Sequence, residues 1–186
     1  MSRFDILDRE AMSPRQREVA DTIAAGPRGA LKGPFLALIH QPELASRIQN
    51  LGEYLRFGTA LSPRLLEIGV LVTARRWSCD YEWAAHARIA REAGLEEHII
   101  DAIAVRARPE PLGTDEALLH DFAMQTAWDG VPGDAIYNAF TDRFGAPAAL
   151  DVLSLCGYYT MLAFVLNAAQ LPLPAGAKPL TPLAAA

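Results

Sequence analysis

The sequence predicts an all-α fold. Apolar residues recur at three- and four-residue spacing along the chain, alternating runs bounded by turns are missing, and Ser, Pro and Gly stand where helices would start and stop. With 186 residues and 51% hydrophobic content, the chain is expected to form one all-helical domain, residues 1–186, with more than half its residues in helices.

Each element has its own signal. Ser13-Pro14-Arg15-Gln16 has the form of a capping box with proline at the first helical position, and Gly26-Pro27 closes the helix it opens. Residues 27–34 read as a glycine-rich loop. Helices are then expected over 35–40, 42–57, 63–77 and 80–93, with Ser62 capping one and Gly94 stopping another. A further helix over 96–106 leads to the connector Pro109-Glu110-Pro111-Leu112-Gly113, and helices follow over 115–128, 134–144 and 147–170. From Pro172 the chain is Pro/Ala-rich and reads as a mobile tail.

Charge and composition narrow the partners. A net charge of −5 gives no basic face, so no nucleic acid is expected, while a small-molecule substrate fits. Cys79 and Cys156 are too few for a disulfide framework, and Met1-Ser2-Arg3-Phe4-Asp5 is not the start of a signal peptide, so the expected location is cytoplasmic. Residues 152–169 carry no charge. Ser154, Gly157, Tyr158, Tyr159, Thr160 and Asn167 nevertheless argue for a central helix over a membrane span, and such a helix is suited to partial cover by another subunit, a homo-oligomer.

Chemistry concentrates in Cys79-Asp80-Tyr81-Glu82-Trp83-Ala84-Ala85-His86, with Glu67 twelve residues before the cysteine. On a helix, Glu82 and His86 lie one above the other, with Cβ atoms about 5–6 Å apart, and Cys79 lies one turn earlier. A carboxylate bonded to an imidazole fixes its tautomer and suits acid–base work near neutral pH. Glu67 would extend the relay. For Cys79, a helix N-terminus with Arg75 and Arg76 nearby lowers a thiol pKa, whereas Asp80 and Glu82 raise it, so the spacing alone leaves a reactive thiol and a structural one both open. Cys156, within an apolar helix, reads as a buried structural thiol. His98 and His120 read as solvated surface residues. Offset by 84 positions, Pro63, Leu66, Glu67, Ile68 and Leu71 face Pro147, Leu150, Asp151, Val152 and Leu155, which leaves open both a degenerate repeat, in which only the first copy would carry acid–base groups, and two unrelated helices that each start with proline.

These residues resemble the carboxymuconolactone decarboxylase family, which includes alkylhydroperoxidase D. The latter has a glutamate, a Cys-x-x-Cys pair and a histidine; Glu67, Cys79 and His86 match, but Glu82 stands at the second cysteine, as in the decarboxylase branch. The likeness runs from about Gly33 to Gln170, includes His40-Gln41-Pro42-Glu43-Leu44, and leaves 1–12 and 172–186 as peripheral tails. It implies an alkylhydroperoxidase D-like helical bundle that oligomerises and works without a cofactor.

The departure at Glu82 removes the dithiol route, because a carboxylate cannot resolve a sulfenate. The expected activity is a cofactor-free decarboxylase acting on a small carboxylated lactone or related unsaturated acid, with Glu67, Cys79, Glu82 and His86 as the catalytic set. Two alternatives stay open: a single-cysteine peroxidase using Cys79, and a non-enzymatic ligand-binding oligomer. His40, Arg75, Trp77, Tyr81, Trp83 and Tyr158 are the substrate-binding candidates, Arg75 (or Arg76) as a carboxylate partner and the aromatics as walls. Glu82 and His86, with His40 or Glu67, offer N and O metal ligands, but no second histidine stands at ligand spacing, and no metal is expected.

Overall fold

The computed structural model describes residues 2–183. It is 67% helical, and no strand occurs among the described residues. Its α-helices are α1 (Pro14–Ala25), α2 (Phe35–Leu38), α3 (Pro42–Phe57), α4 (Pro63–Arg76), α5 (Asp80–Glu92), α6 (Glu97–Ala104), α7 (Thr114–Asp129) and α8 (Asp134–Ala169), preceded by a 3₁₀ turn at Arg9–Ala11.

The N-terminal signals act as expected. The Ser13 hydroxyl accepts from the Gln16 amide and the Gln16 side chain accepts from the Ser13 amide, while Ser62 accepts from the Leu65 amide at the start of α4. Loss of such a cap costs about 1 kcal/mol. Two helices are shorter than their sequence pattern: α2 ends at Leu38 because the His40 and Gln41 amides turn back onto Ala37 and Leu38, and α6 ends at Ala104 before Arg106 takes a positive φ of 60°.

α4 is the organising element. Every residue from 65 to 75 is buried, and the helix packs against α5, α6, α7 and α8. A helix apolar on all sides must be surrounded by others, which makes any polar residue in that run conspicuous. Glu67 is its one carboxylate.

α8 passes through the place where two helices were expected. Gly145 (φ 85°, ψ 159°) breaks it there, a conformation that a side chain would strain, and Pro147 falls in the first turn beyond, where its missing N–H costs nothing. The second limb presents Val152, Leu155, Tyr159, Leu162 and Leu166 to the interior. By length and composition α8 passes the test for a membrane span; half of its most apolar stretch is buried against the protein.

Two expectations change. His120 is buried, its Nδ1 2.9 Å from Asp121 Oδ1, because α7 turns that face onto the core; His98 is exposed and bonds to the Pro111 carbonyl at 3.1 Å. The segment after α8 is not a free tail up to residue 183. The Leu180 amide donates to Asp80 Oδ1 at 2.9 Å, and Arg75 Nη2 donates to the Thr181 carbonyl at 2.9 Å. A carboxylate and a buried guanidinium thus grip consecutive backbone groups, which a composition rich in Pro and Ala could not foretell. Residues 184–186 of the expected tail, and Met1 of the N-terminal one, lie outside the described residues.

These pins are testable. Leu180→Pro removes the donated N–H, and amide hydrogen exchange in segment 174–181 should then rise about tenfold or more, as expected for loss of a bond to a charged acceptor. Exchange unchanged from the parent would contradict the grip.

Candidate active site

α5 carries two opposed stripes. Trp83, Ala87 and Ala90 face the core, while Glu82, Ala85, His86, Ile89 and Glu92 line a cavity of about 660 Å³. The three- and four-residue steps within each stripe are those of one helix surface. Across the cavity stand Tyr159, Leu162 and Leu166 from α8, Arg28 and Lys32 from the 27–34 loop, Arg56 from α3, and residues 174–177 of the C-terminal segment.

His86 is held from behind. Its Nδ1 lies 2.7 Å from Glu67 Oε2, both side chains are buried, and the Tyr159 ring meets the imidazole edge-on at 4.9 Å between centroids. A carboxylate only accepts, so the Nδ1 position is assigned the proton, leaving the Nε2 lone pair as the basic site. The buried carboxylate of α4 thereby obtains the partner its burial demands, and the imidazole obtains a fixed tautomer.

Glu82 is differently placed. It was expected to bond His86; instead Glu67 takes that role, and Glu82 Oε2 is buried without a hydrogen-bond partner among the described residues. Burial raises its pKa well above the usual carboxylate range, which favours the neutral acid where an exposed glutamate would be ionised. The four-residue spacing brought Glu82 and His86 to one cavity, but the bond to the imidazole comes from the neighbouring helix.

Cys79 lies outside this cavity. It is fully buried at the start of α5 in a second apolar cluster with Ala37, Ala163, Leu166 and Leu171, and desolvation pushes its thiol up to about 12. Cys156 is buried in the main core, and burial pushes its thiol up to about 11. A thiolate nucleophile needs a low pKa and access, and Cys79 has neither. Native protein should therefore take up almost no iodoacetamide at neutral pH in an hour, whereas unfolding should release two reactive thiols. Rapid native labelling of Cys79 by mass spectrometry would refute this.

Of the substrate-binding candidates, Tyr81 lines the cavity. Tyr158 stands behind it, its hydroxyl 3.1 Å from Arg28 Nη2. Arg75 does not reach it: the guanidinium is buried under the C-terminal segment, with Nε and Nη1 unpartnered among the described residues and desolvation lowering its pKa. Trp77 donates to Thr160 and packs edge-on against Phe164, Trp83 packs into the core, and exposed His40 meets the Asp5 carbonyl at 2.9 Å. α4 and α5 turn Arg75, Trp77 and Trp83 away from the cavity, and His40 sits in the exposed turn between α2 and α3. Arg28, Lys32 and Arg56 were missed; they lie in a loop and at a helix end, where no periodicity points inward. Tyr159, adjacent to the chosen Tyr158, is the ring that reaches the imidazole.

Residues 42–118 match the family model described as the Carboxymuconolactone decarboxylase family. The fold is similar to a crystal structure described as the alkylhydroperoxidase D core of an uncharacterized peroxidase-related protein from Ralstonia eutropha, with a TM-score of 0.77 at 20% identity, covering 94% of this chain and 93% of that one. Over residues 42–118 the chain is similar to the carboxymuconolactone decarboxylase family, and its fold is alkylhydroperoxidase D-like. No curated protein matches it. Glu67, Cys79, Glu82 and His86 fall inside the matched segment, whereas Arg28, Tyr159 and residues 174–177 lie outside it. The acid–base groups are thus carried by the family segment and most of the opposite wall by the rest of the chain.

Proposed function

We propose that the chain is a cofactor-free, decarboxylase-type lyase of the carboxymuconolactone decarboxylase kind, acting on a small carboxylated lactone or related unsaturated acid. The observation that carries this reading is the His86–Glu67 pair, 2.7 Å apart, opening on the same cavity as buried Glu82. Groups whose surroundings hold them in different protonation states at one pH supply an acid and a base to one substrate.

The cavity is also cationic. Arg28, Lys32, Arg56 and Arg88 line it against Glu82 and Glu92, and among the described residues only Arg88 of the four forms an ion pair, with Glu92. In a chain of net charge −5 this local excess suits an anionic substrate. The departing carboxylate must be left unpaired near the apolar surface of Ile89, Leu162 and Leu166, because a cation bound to it would hold it back. Arg28, Lys32 and Arg56 serve a retained carboxylate and the developing enolate oxygen, whereas Arg88 is engaged by Glu92.

The steps balance without an added reactant. The C–C bond to the departing carboxylate breaks, its electron pair passes into the conjugated carbonyl as a dienolate, and carbon dioxide leaves. Glu82, kept protonated by burial, delivers its proton to carbon. His86, steadied by Glu67, takes a proton from solvent at Nε2 and passes it to the ionised Glu82, so the net change is substrate anion plus one proton to product plus carbon dioxide.

The single-cysteine peroxidase alternative finds little support, because Cys79 is buried away from the cavity with its thiol pushed up to about 12. A test is carbon dioxide release from carboxylated lactones and unsaturated acids in deuterium oxide. The proposal expects one deuterium in the product, on a carbon of the dienolate. Absence of release across the panel, with the protein folded, would count against it.

A further inference from the structure

Of the four cavity cations, Arg28 alone is built into place. Its Nε donates to Gln49 Oε1, its Nη2 donates to the Tyr158 hydroxyl at 3.1 Å, and its guanidinium carbon lies 4.7 Å from the Phe35 ring centroid. Gln49 is itself fixed by donating to Glu53 Oε2 at 3.0 Å, and Gln49 and Tyr158 are both buried. Three protein elements, α2, α3 and α8, therefore hold one loop arginine. Arg88 by contrast is exposed and paired with Glu92, and Arg56 rests on the Phe57 ring.

The backbone makes room for this. At Gly52, on the inner face of α3, an added Cβ would overlap the Tyr158 hydroxyl and stand 2.5 Å from Arg28 Nη2. The space a side chain would fill at that position is where Arg28 and Tyr158 meet. Such a buttress has no need to exist for a solvated surface arginine.

Two of the five guanidinium N–H groups are spent on Gln49 and Tyr158, and Arg28 forms no ion pair among the described residues while lining the cavity. A planar fork with its orientation already fixed matches a carboxylate in two parallel bonds and loses little freedom on binding. We propose that Arg28 is the carboxylate-binding residue of the cavity, and that Gln49, Tyr158 and Gly52 are its positioning residues. The ligand class is a small planar carboxylate, the retained carboxylate of the substrate under the function proposed above, on which this inference rests.

The experiment uses fumarate as a planar unsaturated dicarboxylate probe, with fumaramide as its uncharged match, titrated into the full chain by calorimetry or NMR. Fumarate should bind and fumaramide should bind at least about tenfold more weakly. Arg28→Gln and Arg28→Lys should each weaken fumarate about tenfold or more, since an ammonium cannot reproduce the fork. Arg88→Gln should change it less than threefold. Gly52→Ala should weaken binding like the Arg28 variants by displacing the guanidinium, and Tyr158→Phe, a smaller change, provides the same readout should the alanine impair folding. Circular dichroism establishes that each variant is folded.

Parent-like fumarate binding in folded Arg28→Gln, or equal binding of fumaramide, would overturn the proposal. Its failure is separable from that of the reaction. With a turned-over lactone in hand, Arg28→Gln should raise KM with kcat nearly unchanged; an unchanged KM would sink Arg28 and leave the lyase standing. Fumarate binding that depends on Arg28 in a protein that releases no carbon dioxide would do the reverse.

Discussion

Replacing His86 with Ala should lower decarboxylase turnover about 10²- to 10⁴-fold, the usual contribution of a positioned acid–base group. The imidazole is the group in the cavity that both contacts a buried carboxylate and offers a free ring nitrogen, so nothing nearby substitutes for it. Glu67→Gln should also cost at least about tenfold, since the amide removes the negative charge that steadies an imidazolium and permits the opposite tautomer. Steady-state kinetics on variants matched to the parent by circular dichroism measures both. His86→Ala within threefold of the parent would end the acid–base account.

The second large effect falls on Glu82. Glu82→Gln keeps the shape but removes the transferable proton, so turnover should fall about 10²-fold or more. Stability should move the other way. An unfolded glutamate titrates near about 4.3, and burial raises the folded value, so the folded chain holds this proton more tightly than the unfolded chain does. The associated stability is full below the unfolded pKa and is lost as pH rises through the folded one. The glutamine variant has no such loss, and its Tm should gain on the parent progressively from pH 5 to pH 9, with little difference below pH 4. Thermal melts across that range decide it; a Tm difference independent of pH would show that Glu82 is not held as the neutral acid.

What could be read from the sequence follows from which forces are local. Helix α3 (Pro42–Phe57) agreed with its pattern to the residue, because proline at its start and glycine at its end are chain-local signals. Glu82 and His86 shared a helix face because their spacing is a property of one helix. The Glu67 bond to His86 was anticipated only as reach, since it depends on how α4 docks on α5. Helical spacing could not distinguish a cavity-facing stripe from a core-facing one, so Trp83 on α5 was taken for a wall and Arg75 on α4 for a ligand. His120 was misplaced for the same reason. Arg28 and the C-terminal segment were invisible, as a loop and a Pro/Ala-rich stretch acquire meaning only from the distant partners Gln49, Tyr158, Asp80 and Arg75.

The central claim is that Glu67, Glu82 and His86 do the chemistry and Cys79 does not. It is tested most directly by assaying the parent, Cys79→Ser and His86→Ala side by side, against carboxylated lactones and against an organic hydroperoxide with a dithiol reductant. The account predicts carbon dioxide release from a lactone that is retained in Cys79→Ser and falls at least about 10²-fold in His86→Ala. Hydroperoxide turnover that vanishes in Cys79→Ser, with no lactone activity in the parent, would contradict it.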